Sequence, residues 1–409
     1  MIRPESIGIL LAGLAAGLAQ PAASRAGPPP PAPTILSHRG YAGTWPANTV
    51  EAFADAVAQG FAGFEMDVRF TIDHVPVVSH DDRLHAATDC GPLRVASIMA
   101  WQLRRCTVLY SPLIPERRVG ARRAARPAAL PTVRTVLAGF LAQTRVRHVV
   151  LDLKTRVGPA EIQALREALP CAPAVCAPLL DKLTFITLHE EDAKGLDAAF
   201  PDAHVAIESD ETVSGLIDSF AEGADFWAPG RPYDTLSISF GSIDNPALRL
   251  IKLGKFENQH PGRRFDRLYR CNLAAATPKR LLVWTVNNRR GIRRVARYRP
   301  DLVLTDLSLA KFAERLAAAA QSHPPESAHG PPGNSACVYP RLGTPPAWTG
   351  TSDEVAEEAG QSLRAGARGL RARRDPDRGL RPEPDRYAAR RAAGTARFVG
   401  YPQPFALSP

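Results

Sequence analysis

Six cysteines are spread along the 409 residues, yet no two of them stand in a Cys-x-x-Cys spacing. Zinc ribbons need such closely spaced sulfur pairs, so a metal held through sulfur is disfavoured. Disulfides or buried free thiols remain, and Cys171 with Cys176, across a Pro-containing loop, is the most local pairing. Internal repeats are missing too, which argues against a stacked solenoid. The formal charge of +10 comes with no nucleic-acid motif, and much of the arginine lies between Arg364 and Arg397, a stretch without a single lysine. That charge is tail chemistry: a solvated extension that can touch an anionic envelope surface, lipid or cell-wall polymer, and no nucleic-acid partner is implied.

Long apolar runs are equally scarce. The N-terminal one, IGILLAGLAAGLA, is too short to span a bilayer comfortably. Arg3 precedes it and a small-residue stretch ending Ser24-Arg25-Ala26 follows, the pattern of a secretory signal over residues 1–26, which predicts an exported protein, secreted or periplasmic. A membrane anchor or amphipathic N-terminal helix is the other reading. Residues 27–33, rich in proline, form a stiff extended linker. Beyond about residue 320 the chain turns into a Pro, Arg, Ala and Gly-rich tail, residues 321–409, without the apolar periodicity needed to bury a core. Between these extensions the 45% hydrophobic content supports either one α/β barrel or two ordinary domains.

The densest chemistry runs from Thr34 to Asp81, TILSHRGYAGTWPANTVEAFADAVAQGFAGFEMDVRFTIDHVPVVSHD. It reads as strand, helix, strand. Thr34 to Ser37 lead into His38 and Arg39, and Asn48 and Thr49 are placed to cap a helix from about Val50 to Gln59, which Gly60 stops. In FAGFEMDV, Glu65 and Asp67 stand two apart, so on a strand both carboxylates leave one face while Phe64, Met66 and Val68 leave the other. Two acids on one face suit a cation. The return through Val77-Val78 delivers His80 beside Asp81.

The order His-Arg-Gly, Pro-x-Asn-Thr, Glu-x-Asp-Val and Val-Val-x-His-Asp resembles the signature of the glycerophosphodiester phosphodiesterase family, densely over this stretch and more thinly to about residue 310. The resemblance continues in the Pro-Thr entry at Pro131-Thr132 and in Asp152-Leu153-Lys154, where the family usually carries Glu-x-Lys. It implies Asp152 as a metal ligand, shorter by one methylene than the usual Glu, and Lys154 on the phosphate. It also implies release of sn-glycerol 3-phosphate and an alcohol from a small-molecule glycerophosphodiester, with attack by the substrate's own hydroxyl as one route, and Trp284 packed on the glycerol.

Further along, apolar strand runs alternate with helices: strands at His148–Lys154, Leu183–Leu188, Ala203–Ile207, Ala224–Ala228, Arg280–Val286 and Asp301–Leu304. Helices are expected near Ser97–Arg105, Val133–Leu141, Pro159–Leu169, Glu190–Phe200, Asn245–Leu253 and Gly291–Tyr298. With the two early strands this makes eight, which predicts a TIM-type (β/α)8 barrel over residues 34–320. An open doubly wound sheet would want a Gly-rich phosphate loop after the first strand, and none is present. In a barrel the strand C-termini gather at one mouth, so His38, Arg39, Glu65, Asp67, Asp152, Lys154 and Trp284 are expected to converge.

Phosphodiester hydrolysis needs charge stabilisation, an activated nucleophile and a protonated leaving group. Glu65, Asp67 and Asp152 would hold a hard divalent metal, Ca²⁺ or Mg²⁺; Arg39, with Lys154, would neutralise the phosphate; His38 and His80 remain as the catalytic proton-transfer pair. Two other readings share the same barrel: a phospholipase D-type, sphingomyelinase-like head-group hydrolase, and a non-catalytic cell-surface binding protein.

Overall fold

In a computed structural model, residues 32–43, 45–84, 87–109, 126–171, 173–208, 223–240 and 261–322 are described, with Ser219 and Cys337 besides. The chain divides into residues 1–342 and 343–409, and every described residue belongs to the first unit. The expected signal, the helix at 245–253 and nearly all of the tail lie outside the described residues.

Strands β1 (Thr34–Ser37), β2 (Gly63–Phe70), β3 (Pro76–Val78), β4 (Thr107–Val108), β5 (Ala128–Ala129) and β6 (His148–Leu153) are followed by β7 (Leu183–Thr187), β8 (His204–Ile207), β9 (Thr235–Ser239), β10 (Arg280–Trp284) and β11 (Leu302–Thr305). Eight of them pair in parallel in the closed order β1-β2-β6-β7-β8-β9-β10-β11, with β11 returning to β1; β3 lies antiparallel on the end of β2. This is the expected barrel. Helices α1 (Val50–Ala58), α3 (Val133–Phe140), α4 (Pro159–Ala168), α6 (Glu190–Ala199) and α8 (Arg289–Tyr298) match the sequence pattern, and the described residues also form α2 (Ala100–Leu103), α5 (Pro173–Leu180), α7 (Pro261–Ala274) and α9 (Leu309–Ser322).

The period-2 pleat splits the strands' side chains into two layers. Leu36, Ala62, Val150, Ile186, Ala206, Leu282, Leu302 and Leu304 pack together inside the barrel. Their neighbours Phe64, Leu151, Val205, Ile207, Ile238, Val283 and Val303 face the helices in a larger cluster. Helix α1 shows how that outer layer is secured. The Thr49 hydroxyl accepts the Ala52 N–H at 3.3 Å as N-cap, and the buried Phe53 stacks on Phe64 with ring centroids 4.4 Å apart. Burying each such ring contributes about 2 kcal/mol, so the helix is fixed by its apolar face more than by propensity.

Two expectations need correction. No strand forms at Ala224–Ala228: the Asp225 carboxylate accepts the Trp227 N–H at 3.0 Å, making a local turn, and the Trp227 indole donates to Asn272 at 2.8 Å. The strand in this part of the barrel is β9. The helix expected at Ser97–Arg105 shrinks to Ala100–Leu103 behind a 3-10 turn at Val95–Ser97, because the Ile98 carbonyl is held in extended backbone by the Ile72 N–H at 3.0 Å. Of the two readings left open for the cysteines, the structure has disulfides: Cys171–Cys176, the local pairing suggested by the sequence, with Cys90–Cys106 and Cys271–Cys337. The last of these ties a residue of the expected tail to α7.

Candidate active site

Two strands set the acidic centre. In β2 and β6 the register places Asp67 level with Asp152, and Glu65 precedes Asp67 on the same inward face. One carboxyl oxygen from each of the three lies within 4.8 Å of the others. Glu65 and Asp67 are buried, so their mutual repulsion is poorly screened. Burial, with the neighbouring Asp67 and Asp152, pushes the Glu65 carboxyl well above its usual range, against the pull of Arg39 and Lys154. For Asp67 burial acts in the same direction but is outweighed by Arg39, Lys154, His80 and His38, which leave it below the usual carboxylate range.

The cations around this centre follow from local backbone. Arg39 adopts a left-handed conformation, φ 58°, which turns its N–H onto Glu65 Oε2 at 2.9 Å while its Nε comes within 2.9 Å of Asp67 Oδ2. Asn48, also left-handed at φ 63°, donates from Nδ2 to Asp67 Oδ2 at 2.7 Å and accepts the Asp67 N–H at 3.2 Å. The sequence suggests Asn48 as a helix cap; the cap is Thr49 alone, and Asn48 holds a site carboxylate instead. Lys154 Nζ bonds Asp152 and lies 3.2 Å from Asp67 Oδ1, so its ammonium is held against the acids themselves. Although burial works against it, those acids raise its affinity for a proton.

His38 enters the mouth from β1. Its Nδ1 bonds Asp306 Oδ1 at 2.8 Å and its Nε2 lies 3.8 Å from Glu65 Oε2. Asp306, just past β11, is gripped in turn: its Oδ2 accepts from Asn287 Nδ2 at 2.6 Å and its N–H donates to Asn287 Oδ1 at 2.9 Å. Burial opposes ionisation of Asp306, but His38 and these bonds pull it below the usual carboxylate range, so it stays an acceptor and presents His38 Nε2 to the mouth. Neither Asp306 nor Asn287 stands out in the sequence. The signal was there in the phase: Asp306 lies two residues past the inward Leu304, as His38 lies two past Leu36.

Six of the expected site residues therefore meet on β1, β2 and β6: His38, Arg39, Glu65, Asp67, Asp152 and Lys154. His80 stands at their edge beyond β3, half exposed, with Nδ1 on Asp81 Oδ1 at 2.9 Å and its carbonyl held by Arg69 Nε at 2.8 Å. A small cavity opens there, lined by Arg39, Asn48, Val78, His80, Arg83 and Leu84 among others. Trp284 stands at the end of β10, two strands round the ring from β1, where its Nε1 donates to Ser237 Oγ at 2.9 Å.

Among curated proteins, glycerophosphodiester phosphodiesterase 1 of Bos taurus is 36% identical over 72 residues, 18% of this chain and 22% of that protein. A glycerophosphodiester phosphodiesterase of Bacillus altitudinis is 42% identical over 55 residues, 13% of this chain and 22% of that protein. The chain thus spans only about a fifth of the length of the curated relatives it matches. A crystal structure of a glycerophosphodiester phosphodiesterase from Parabacteroides distasonis covers 71% of this chain and 99% of its own, at 17% identity and a TM-score of 0.47. Residues 38–168 match the glycerophosphoryl diester phosphodiesterase family. From His38 to the end of α4, the stretch that holds the acids, the lysine and both histidines, the chain is similar to that family.

Proposed function

We propose that this barrel mouth hydrolyses a small glycerophosphodiester to sn-glycerol 3-phosphate and an alcohol, using His38 and His80 for proton transfer and a divalent cation on Glu65, Asp67 and Asp152. The observation that carries the reading is the meeting of those three carboxyl groups within 4.8 Å beside His38 and Arg39. The donor set fits a hard cation. Glu65 Oε1 is buried without a hydrogen-bond partner, an expensive arrangement for a carboxyl oxygen unless an ion takes it up, and only oxygen ligands are present. Such an ion, Ca²⁺ or Mg²⁺, supplies Lewis-acid stabilisation of the phosphate's charge when bound.

The chain's own groups do the rest. Arg39 and Lys154, both at the acids, bring positive charge to the non-bridging oxygens, Arg39 with a planar fork suited to phosphate. A nucleophilic oxygen, from water or from the glycerol's own hydroxyl, forms the new bond to phosphorus and gives its proton to one histidine. The bond to the alcohol oxygen breaks, and the other histidine supplies that oxygen's proton; when the glycerol hydroxyl has attacked, the product is a cyclic phosphate, which water then opens to sn-glycerol 3-phosphate with the two histidines exchanging roles. His38 is fixed for this by Asp306, and His80 by Asp81.

The test is turnover by the purified mature chain on a panel of glycerophosphodiesters with and without chelator. Chelation should abolish activity, and Glu65→Gln should lose both activity and bound metal. His38→Ala and His80→Ala should each lower kcat by at least about a hundredfold with KM changed far less. A p-nitrophenolate leaving group should rescue only the mutant that lacks the acid. Near-normal kcat in both histidine mutants, with Arg39 and Glu65 mutants inactive, would overturn the two-histidine mechanism.

The exported location belongs to the same reading. Three disulfides suit an oxidising compartment, and N-terminal sequencing of the mature protein should find residues 1–26 removed.

A further inference from the structure

Six large apolar side chains are exposed among the described residues, and four of them, Ile72, Leu93, Met99 and Trp101, lie in the one stretch between β2 and β4. That stretch has an interior of its own. Val77, Leu84, Val95, Ile98, Leu103 and Cys106 pack together, and the Cys90–Cys106 disulfide closes the unit. Ile72, Met99 and Trp101 take no part in it, with Ile72 57% and Trp101 61% exposed. The backbone gathers these three. The Ile72 N–H donates to the Ile98 carbonyl and the Ala100 N–H to Asp73 Oδ1, both at 3.0 Å, so the turn after β2 lies against the start of α2. That turn is on the mouth side: β2 carries Asp67 and ends at Phe70, about 10 Å further along the strand, before Ile72 is reached. The apolar tips therefore stand on the rim, farther out than the acids.

Positive charge stands beside them. Arg104 ends α2 in helical conformation three residues after Trp101, the spacing of neighbours on a helix face, and Arg105 follows. Both are exposed, and among the described residues neither is in an ion pair: Asp82 pairs with Arg94 at 3.3 Å, while Asp73 and Asp89 accept the Ala100 and Thr107 N–H groups. Resting on the phosphodiesterase reading for its use, though not for its geometry, we propose that this rim docks on a phospholipid bilayer. Ile72, Met99 and Trp101 enter below the head groups, and Arg104 and Arg105 meet the lipid phosphates. An indole with an apolar body and a polar N–H suits that boundary. A turn and a one-turn helix, in contrast, offer no strand edge and no long helix face for another protein to pair with. The chemistry of the substrate gives the docking its use. A glycerophosphodiester is what remains of a glycerophospholipid once both acyl esters are hydrolysed, so the reaction class that supplies it works at a bilayer surface. A docked mouth meets the diester where it is shed.

The experiment is co-sedimentation of the full chain with vesicles of phosphatidylcholine, alone or mixed with phosphatidylglycerol. It is repeated with Met99→Ser and Trp101→Ser combined, and with Arg104→Glu and Arg105→Glu combined, each shown to be folded by its thermal transition. The arginine-rich tail is present throughout, so any difference belongs to the rim. The apolar pair of changes should weaken partitioning about tenfold or more on both kinds of vesicle. The charge reversals should weaken it more on the phosphatidylglycerol vesicles, and that excess should fade at high salt. Turnover of a soluble diester without vesicles should be the same in all three proteins. Equal partitioning of the folded variants and the unaltered chain would overturn the docking surface, as would no partitioning of the unaltered chain. A dimer in sedimentation velocity that Trp101→Ser abolishes would overturn it as well, because the rim would then be a contact between two copies. Vesicle binding is read without turnover. A chain that binds through Trp101 yet hydrolyses no diester sinks the hydrolytic reading and leaves the docking surface standing.

Discussion

Which nitrogen of His38 reaches the mouth is decided by Asp306, and which way Asp306 turns is decided by Asn287, which both donates to it and accepts from it. In Asp306→Asn the amide oxygen can keep the bond from Asn287 Nδ2 only if the NH2 turns to His38 Nδ1, which accepts it only in the other tautomer. His38 would then be held with Nε2 protonated, lowering kcat at least about tenfold with KM little changed. Full kcat in a folded Asp306→Asn protein would show that His38 is oriented otherwise. The acids predict a pH effect. The carboxyl of Glu65 lies well above the usual glutamate value of 4.5, so in chelator the unfolded chain ionises there first, and the cation-free fold loses stability as pH rises from 4.5 toward the raised folded value. Asp67, lowered from 3.8, acts oppositely: its contribution is present above 3.8 and is lost only as pH falls through its lower folded value. Thermal scans in chelator from pH 5 to 8 should therefore show a decline that Ca²⁺ reverses and that Glu65→Gln removes. Binding should also release protons and tighten as pH rises, readable by calorimetry in buffers of different ionisation heat.

At the scale of strands, the sequence exposes those that are apolar on both faces and hides those that are not. The runs around Val149, Phe185 and Val303 stand out because a parallel strand covered on both sides needs both. In β9, TLSIS, the inward positions are Thr235, Ser237 and Ser239, so the run looks broken, and the apolar FWA at Phe226–Ala228 is mistaken for it. The same cause hid part of the site: Glu65 and Asp67 share one strand and are read together, whereas Asn287 and Asp306 acquire meaning only once the ring closes. Closure itself depends on Gly63, where β2 comes so near β6 that a Cβ would sit 1.7 Å from the His148 carbonyl oxygen. Gly63→Ala must push the two strands apart beneath Glu65, Asp67 and Asp152, which should cost about 3 kcal/mol or more. A barrel of this size should then melt roughly 6–12 °C lower. Gly139 in α3 has nothing within 4 Å of a Cβ, and Gly139→Ala should instead stabilise by about 0.5–1 kcal/mol. Equal melting temperatures for the two variants would refute the close approach of β2 and β6.

For the whole molecule, composition places the end of the folded unit near residue 320, where the apolar pattern of α9 stops, but the disulfide from Cys271 to Cys337 carries it further. Cys271 is buried on α7, and α7 packs Phe265 and Tyr269 against Tyr298 of α8, so a tether at that point braces the outer wall beneath β10. The bridge closes a loop with a sequence separation of 66. In the chain-entropy account a loop of that length stabilises the fold by about 4 kcal/mol, through the unfolded state alone. Ending the chain after Pro325 should therefore lower the unfolding free energy by roughly that amount, while ending it after Leu342 should leave stability unchanged. Cys271→Ser in the full chain should reproduce the loss of the shorter truncation, since both remove the same constraint. Among the described residues, none of those placed in the site lies beyond Asp306, so kcat on a soluble diester should be the same in all three proteins below their melting transitions. Should the chain ending at Pro325 melt like the full-length protein under oxidising conditions, the tether contributes nothing and the fold ends at α9. Should the chain ending at Leu342 lose activity at a temperature where it is folded, the arginine-rich tail takes part in turnover and its reading as a surface extension is wrong.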